Sequence, residues 1–370
     1  MRDAALPLWL AQGIDRQHGG FEEALSLGGE RIPGLTKRVR VQARQIYVMS
    51  HAALLGFHKD AALAAARAGF EFLIAKAPHP DGGFVHLLKP DGSIADAKRD
   101  AYDHAFILLA LGWFYRVTGE PAALGWIERT LVFLDAAFAQ ADGSFLESLP
   151  PALPRRQNPH MHLFEAMLSL FEATGDRRFL DRAKRLHTLF RAHFFDGIVL
   201  REFFEPDWRV LPAPAGAIIE PGHHCEWVWL LDKYERLTGE ATGPARQALI
   251  DFALRHGRDP ASQLLVDEID TNGRMLRPTM RCWPQTEGLK AVLSFAERGE
   301  GWAVKEAALF ANGLLGRYLA TNPRGLWQDQ FDAAGQGLTK QVPASTLYHV
   351  FLAFAELLRV GGGLSTGGSA

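Results

Sequence analysis

Cysteine is nearly missing from this sequence: Cys225 and Cys282 are the only two in 370 residues. Two thiols cannot form a disulfide framework for a chain of this size, and their scarcity suits a reducing compartment. Also missing is any run of about 18 apolar residues of the kind a membrane-spanning helix needs. The opening stretch, MRDAALPLWLAQGIDRQHGG, lacks the long apolar core and small-residue cleavage site of a secretory signal, so a cytoplasmic location is the expectation. Charge of one sign is absent too: 40 Lys and Arg stand against 42 Asp and Glu, a net of −2. No overall basic field exists to draw nucleic acid or an anionic membrane. No G-x-x-x-x-G-K-S/T loop is present to cradle nucleotide phosphates.

What the sequence does contain is repetition. Hydrophobic residues make up 48% of the chain, and many fall into segments with one grammar. YDHAFILLALGWFYRVTGE, NPHMHLFEAMLSLFEATGD and GHHCEWVWLLDKYERLTGE are each apolar on nearly all sides and end in Thr-Gly-Asp/Glu. A more polar amphipathic stretch follows each. Gly119, Gly175 and Gly239 sit where a helix must stop, a position that favours the left-handed conformation glycine tolerates. An apolar helix paired with a one-faced helix reads as inner and outer layers. Further copies begin near Arg40, Trp283 and Pro343, and the N-terminal segment around Leu6–Ile14 supplies the last outer partner. Six pairs spaced roughly 60 residues apart predict an all-α fold, an (α/α)6 barrel. Residues 1–360 would form one catalytic domain and the Gly/Ser-rich residues 361–370 a flexible tail. Asp-Gly and Asn-Gly steps in DGGFVHLLKPDGS, FDGIVLREFFEPDWRV, LLVDEIDTNGRML and PRGLWQDQFDAAGQG predict β-hairpins at one end. An open solenoid of the same pairs is the alternative.

The inner helices open alike, with proline in or near the first turn at Pro159, Pro221, Pro284 and Pro343. Helices running in parallel would bring these turns to one mouth, and the unusual polar residues cluster there. A lone histidine in an apolar helix is ordinarily a satisfied core residue. His162, His223 and His349 at matched places in successive repeats point instead to one cavity, and His104 and Arg44 occupy comparable places on the first two inner helices. Their neighbours His160 and His224 should face elsewhere on the helix and are read as structural. Glu165 and Glu226 each follow a histidine by three residues and can share its face, fixing its tautomer. Trp229, Trp227 and Trp283 offer flat apolar walls for a ligand, and Glu287 follows Trp283.

These residues resemble the N-acylglucosamine 2-epimerase superfamily, with the mannose isomerase branch nearest. The resemblance rests on R-x-Q-x-R at Arg40–Arg44, N-P-H-M-H-x-x-E-A at Asn158–Ala166, G-H-x-x-E-x-x-W at Gly222–Trp229, W-P-x-x-E at Trp283–Glu287 and S-T-x-Y-H at Ser345–His349. It implies the (α/α)6 barrel and cofactor-free proton transfer between adjacent carbons of a sugar. By that resemblance His223 and His349 are the acid and base, His162 assists ring opening, and Arg44 polarises the substrate oxygens. Glu226, Glu287, Trp229, Trp283 and His104 would complete the pocket.

Histidine suits such chemistry because its pKa lies near neutrality. The expected reaction is aldose–ketose isomerisation of the mannose–fructose type through an enediolate, with 2-epimerisation as the alternative. A glycoside hydrolase on the same barrel would need a carboxylate pair instead. His160-x-His162, or His223-His224 with Glu226, has the residue types of a metal site, but adjacent helical positions diverge, so no metal is expected. A helical-repeat scaffold for a protein partner would leave the buried histidines unexplained. Lys37, Arg38 and Arg40 could greet a phosphate or sulfonate, although a solvated basic face is the plainer reading. A homodimer is compatible with the helical faces.

Overall fold

In the computed structural model, which describes residues 1–366, twelve α-helices alternate between two layers. The outer layer comprises α1 (Ala5–Gln12), α3 (Lys59–Lys76), α5 (Pro121–Ala137), α7 (Arg177–Leu189), α9 (Gly243–His256) and α11 (Gly301–Gly313). The inner layer comprises α2 (Val39–Leu54), α4 (Ala101–Thr118), α6 (Asn158–Thr174), α8 (Pro221–Thr238), α10 (Cys282–Ala296) and α12 (Ser345–Thr366). Each inner helix packs on the next, and α12 returns to pack on α2. The ring is therefore closed: an (α/α)6 barrel, not an open solenoid. Among the described residues no helix is long and apolar enough to cross a membrane.

Burial follows the sequence pattern. Every residue of α4 from Ala101 to Phe114 is buried except Tyr102, whereas α7 turns Phe179, Leu180, Ala183, Leu186 and Leu189 inward and its arginines outward. Gly119, Gly175 and Gly239 end α4, α6 and α8 with φ of 67°, 73° and 76°. The preceding threonine adds a bond that patterning alone does not predict. Its hydroxyl accepts the backbone N–H of Glu120, Asp176 or Glu240 at 3.2, 3.1 and 3.1 Å, which fixes the turn into the next helix. The N-terminal α1 fills the outer position expected of it, with Trp9 stacked on Trp327 at 5.2 Å. The last helix runs on through Gly361–Gly363 to Thr366, six residues into the segment read as a tail. Glycine disfavours a helix interior by about 1 kcal/mol per residue without forbidding it. Residues 367–370 lie outside the described residues.

The four expected hairpins are present, two closed by strands of two or three residues and two by single bridges. They do more than decorate. The short strand before each inner helix pairs with the hairpin of the following repeat: Lys37–Arg38 with Leu87–Leu88, Arg99–Asp100 with Ser148–Leu149, Arg155–Arg156 with Phe203–Phe204, and Met280–Arg281 with Gln330–Phe331. Ile219 bridges Ile269 in the same way. Val342–Pro343, before α12, pairs with Ala24–Leu25 in the first hairpin. Six links thus run right round the mouth.

A second device ties five of the six hairpins to the inner helix that follows. His104 Nε2 accepts the Phe84 N–H at 3.0 Å while its Nδ1 bonds the Asp100 carbonyl at 2.7 Å. His160 does the same with Phe145 and Arg156, and His224 with Leu200 and Glu220. Gln42 and Gln285 perform the task with an amide, on Phe21 and Leu265. A planar group with one acceptor and one donor bonds two backbone groups at once, and without it the buried hairpin N–H would be orphaned.

Candidate active site

The first turns of the inner helices converge on a funnel of about 540 Å³. Counting two residues past each clamp (Gln42, His104, His160, His224, Gln285) gives Arg44, Phe106, His162, Glu226 and Glu287, and His349 occupies this level on α12. These side chains share one depth in the barrel. Above them lie Tyr102, Asn158, His223, Trp283 and Ser345, all on the funnel wall.

Trp283 stands between two imidazoles, with ring centroids 5.1 Å from His223 and 5.7 Å from His349. Only glycine at position 222 permits this, because a Cβ there would lie 2.6 Å from the indole. The two histidines are tuned apart. The Nδ1 of His223 faces Glu202 Oε2 at 3.0 Å and Glu220 Oε1 at 3.9 Å. Burial pulls its pKa down, but the two carboxylates outweigh burial and raise it to about 10. His223 is therefore an imidazolium at neutral pH. The Asn158 amide lies 3.2 Å from its Nε2; the otherwise unpartnered amide oxygen is the atom that suits an Nε2–H donor.

His349 also faces a carboxylate, with Nδ1 2.8 Å from Glu287 Oε1, yet its pKa lies well below the ordinary value. Burial is the main cause, joined by the nearby charges of Arg44, Lys290 and His162. Arg44 and then Lys290 set His349 apart from His223. This fully buried ammonium sits 2.6 Å from Glu287 Oε2 and 4.3 Å from the Trp229 ring centroid, so the Glu287 charge is already compensated. A neutral His349 donates Nδ1–H to Glu287 and keeps the Nε2 lone pair for the funnel.

His162 donates Nδ1–H to Glu165 at 3.0 Å, and its Nε2 lies 3.9 Å from Glu226. Glu165 also accepts from Tyr348 at 2.5 Å. Burial opposes its ionisation, but His162, Lys290 and Tyr348 prevail and hold it at about 2. Glu226 is pushed well above the carboxylate range by burial and by Glu287. Arg44 donates to Tyr102 Oη at 2.7 Å and to the Ser345 carbonyl at 3.3 Å, and lies 4.1 Å over Phe106.

The N-acylglucosamine 2-epimerase (GlcNAc 2-epimerase) family model matches residues 19–353. The chain belongs to this family. The mannose-6-phosphate isomerase of Rhizobium meliloti is 36% identical over 96% of this chain and 94% of its own length. The D-mannose isomerase of Marinomonas mediterranea is 26% identical over 92% and 91%. A crystal structure of D-mannose isomerase superposes with a TM-score of 0.88 at 24% identity, over 97% of this chain and 96% of the other. The chain is thus an enzyme of the carbohydrate isomerase and epimerase class.

In this family member the funnel gathers His162, His223, His349, Arg44, Glu226 and Trp283, as the sequence suggested. Glu287 stands behind His349 and off the funnel wall. Two candidates lie elsewhere. His104 is fully buried, and both ring nitrogens are consumed by the hairpin clamp. Trp229 lines a second cavity, about 350 Å³, at the opposite end of the barrel, where it donates to Glu356 at 3.1 Å. Trp227 is core, stacked on Phe190 and Phe164.

Glu226 does not pair with His223 as its spacing suggested; Glu202 from the hairpin takes that place. Both metal-like sets dissolve, because His160 and His224 are clamps. Three other groups bring ligand atoms within 4.8 Å of one another, among them Glu226, Glu287 and His349. There Lys290 already supplies the positive charge.

Sequence reasoning missed Glu202, Asn158, Tyr102 and Lys290. A signal for the first existed. Two residues past each clamped hairpin residue stand Glu23, His86, Glu147, Glu202 and Asp267, a titratable side chain every time.

Proposed function

We propose that the enzyme interconverts an aldose and its 2-ketose, of the mannose–fructose type, by proton transfer between C2 and C1. The observation that carries this reading is the opposed tuning of two imidazoles across one indole. Such pairs mark an acid and a base.

In this reading the sugar lies against Trp283. His162 and the groups around it assist ring opening. The Nε2 of neutral His349 takes the C2 proton, and the electron pair moves into the C1 carbonyl to give an enediolate. Arg44 stabilises the oxyanion, and the His223 imidazolium delivers a proton to O1. His349 returns its proton to C1, while the O2 hydroxyl gives its proton back to His223, leaving the ketose carbonyl at C2. No proton is left over.

A glycosidase would need two carboxyl groups flanking the scissile bond, and here the flanking groups are imidazoles. The two relatives are named for isomerisation, which supports the isomerase over the 2-epimerase.

The test is D-mannose in D2O followed by NMR. The expected product is fructose carrying deuterium at C1 to the extent that His349 exchanges its proton with solvent. Glucose as the main product would replace this reading with epimerisation; inertness of both the free and the phosphorylated sugar would remove it.

The tuning also predicts a pH profile. The acid form of His223 is lost as pH rises through about 10, so log kcat/KM is expected to fall there. Its acid limb belongs to His349 and lies well under the ordinary histidine range. A limb on either side with its midpoint at the ordinary histidine value, about 6.5, would contradict the assignment.

A further inference from the structure

The funnel mouth is divided by charge. Both reacting imidazoles and Trp283 come from α8, α10 and α12, one half of the ring. The lining carboxyl groups Glu220, Glu226 and Asp329 lie on that half too, and the one lining arginine there, Arg281, is paired with Glu220 at 3.2 Å and Asp267 at 3.0 Å. The other half, at the starts of α2, α4 and α6, presents Arg38, Arg40, Lys98 and Arg156. Of the lining acids only Asp100 is on this side, 3.1 Å from Lys98.

The carboxylates that orient these arginines stand behind them. Arg40 pairs at 3.1 Å with Asp103, which is fully buried. Arg156 engages the buried Glu147 through Nε at 2.9 Å, which leaves its two terminal nitrogens for the funnel. Arg40, Tyr102 and Arg156 line the same wall of the funnel, and the Arg40 guanidinium lies 5.8 Å from the Tyr102 ring. Arg44 lies 5.7 Å from the same ring and reaches the reacting end. Arg40 and Arg44 are four residues apart on α2, about 6 Å along the axis. That is the order of the distance between the reacting carbons of a hexose and a substituent on its far terminal carbon.

We propose that Arg40, Lys98 and Arg156 form a subsite for a phosphate ester on the end of the sugar remote from its carbonyl. This rests on reading the funnel as the isomerase site. Arginine forks held from behind are preorganised for a tetrahedral anion, to which they offer paired N–H donors. The substrate class is then a hexose 6-phosphate, with the anion over α2, α4 and α6 and C1–C2 between His349 and His223.

Two measurements on the whole protein test it. The first is calorimetric binding of mannitol 6-phosphate against mannitol, neither of which has a carbonyl to isomerise. The second is kcat/KM for mannose 6-phosphate against mannose. The phosphorylated member of each pair is expected to be favoured at least about tenfold. Lys98→Met and Arg156→Gln are each expected to cut that preference severalfold. Lys98 is solvent-accessible and can be replaced without disturbing the core.

Turnover of mannose with no preference for the phosphate overturns the subsite and leaves the isomerase standing. So does a preference that neither variant alters. Preferential binding of mannitol 6-phosphate that both variants weaken, with neither sugar turned over, keeps the subsite and overturns the isomerase.

Discussion

Replacing His349 with alanine is expected to lower kcat by about 10²–10⁴, the range for a lost general base, while the protein stays folded. The fold is expected to survive because the partner of His349 is not orphaned: Glu287 keeps Lys290 at 2.6 Å. His349→Gln sharpens the test, since an amide can still donate to Glu287 but cannot take a proton. Both variants should be inactive and both should show a native circular dichroism spectrum. Retention of a tenth of the activity in either would remove His349 from the chemistry. His223 is the less clean target, because Glu202 and Glu220 would lose the cation that both face, and stability would fall along with turnover.

His104→Leu is expected to destabilise the protein by about 2–4 kcal/mol, from one buried N–H left unsatisfied and the imidazole packing lost. His104→Gln is expected to cost less than half as much, because Gln42 and Gln285 already perform the same clamp at sister positions. Denaturant melts of the three proteins decide the matter. Equal losses in the leucine and glutamine variants would show that imidazole shape, not hydrogen bonding, is what the position needs. A kcat for His104→Gln near that of the parent would follow from its distance from the funnel.

The barrel was legible because its signals are local and repeated. Glycine caps, proline starts and the contrast of two apolar patterns recur often enough to be read without contacts. Closure was not legible, since it depends on α12 meeting α2 across most of the chain.

The site was legible where residues share a helical level. His162, Glu226, Glu287 and His349 sit at one depth, and Arg44 matches them; His223, expected level with His162 and His349, stands three residues nearer the mouth than Glu226. Two errors have simple geometric causes. Trp229 lies six residues beyond His223, about 9 Å further along the axis, and so emerges beyond the floor. His104 was aligned with Arg44 and His162 when its true equivalents are Gln42 and His160, and two residues of offset rotate a side chain about 200° round a helix. Glu202 escaped because it arrives on a hairpin, and Lys290 because a charged residue on an apolar helix is ordinarily placed in solvent.

The closed girdle of hairpin links bears on how the molecule comes apart. A linear array of helical pairs frays from its terminal repeats, since each repeat leans only on its neighbours. Here Ala24–Leu25 is paired with Val342–Pro343, and α12 leans on α2, so the first and last repeats are neighbours and no end is left to peel. Releasing any one repeat breaks contacts on both its sides. Unfolding is then a concerted event in which the funnel survives whole or is lost whole.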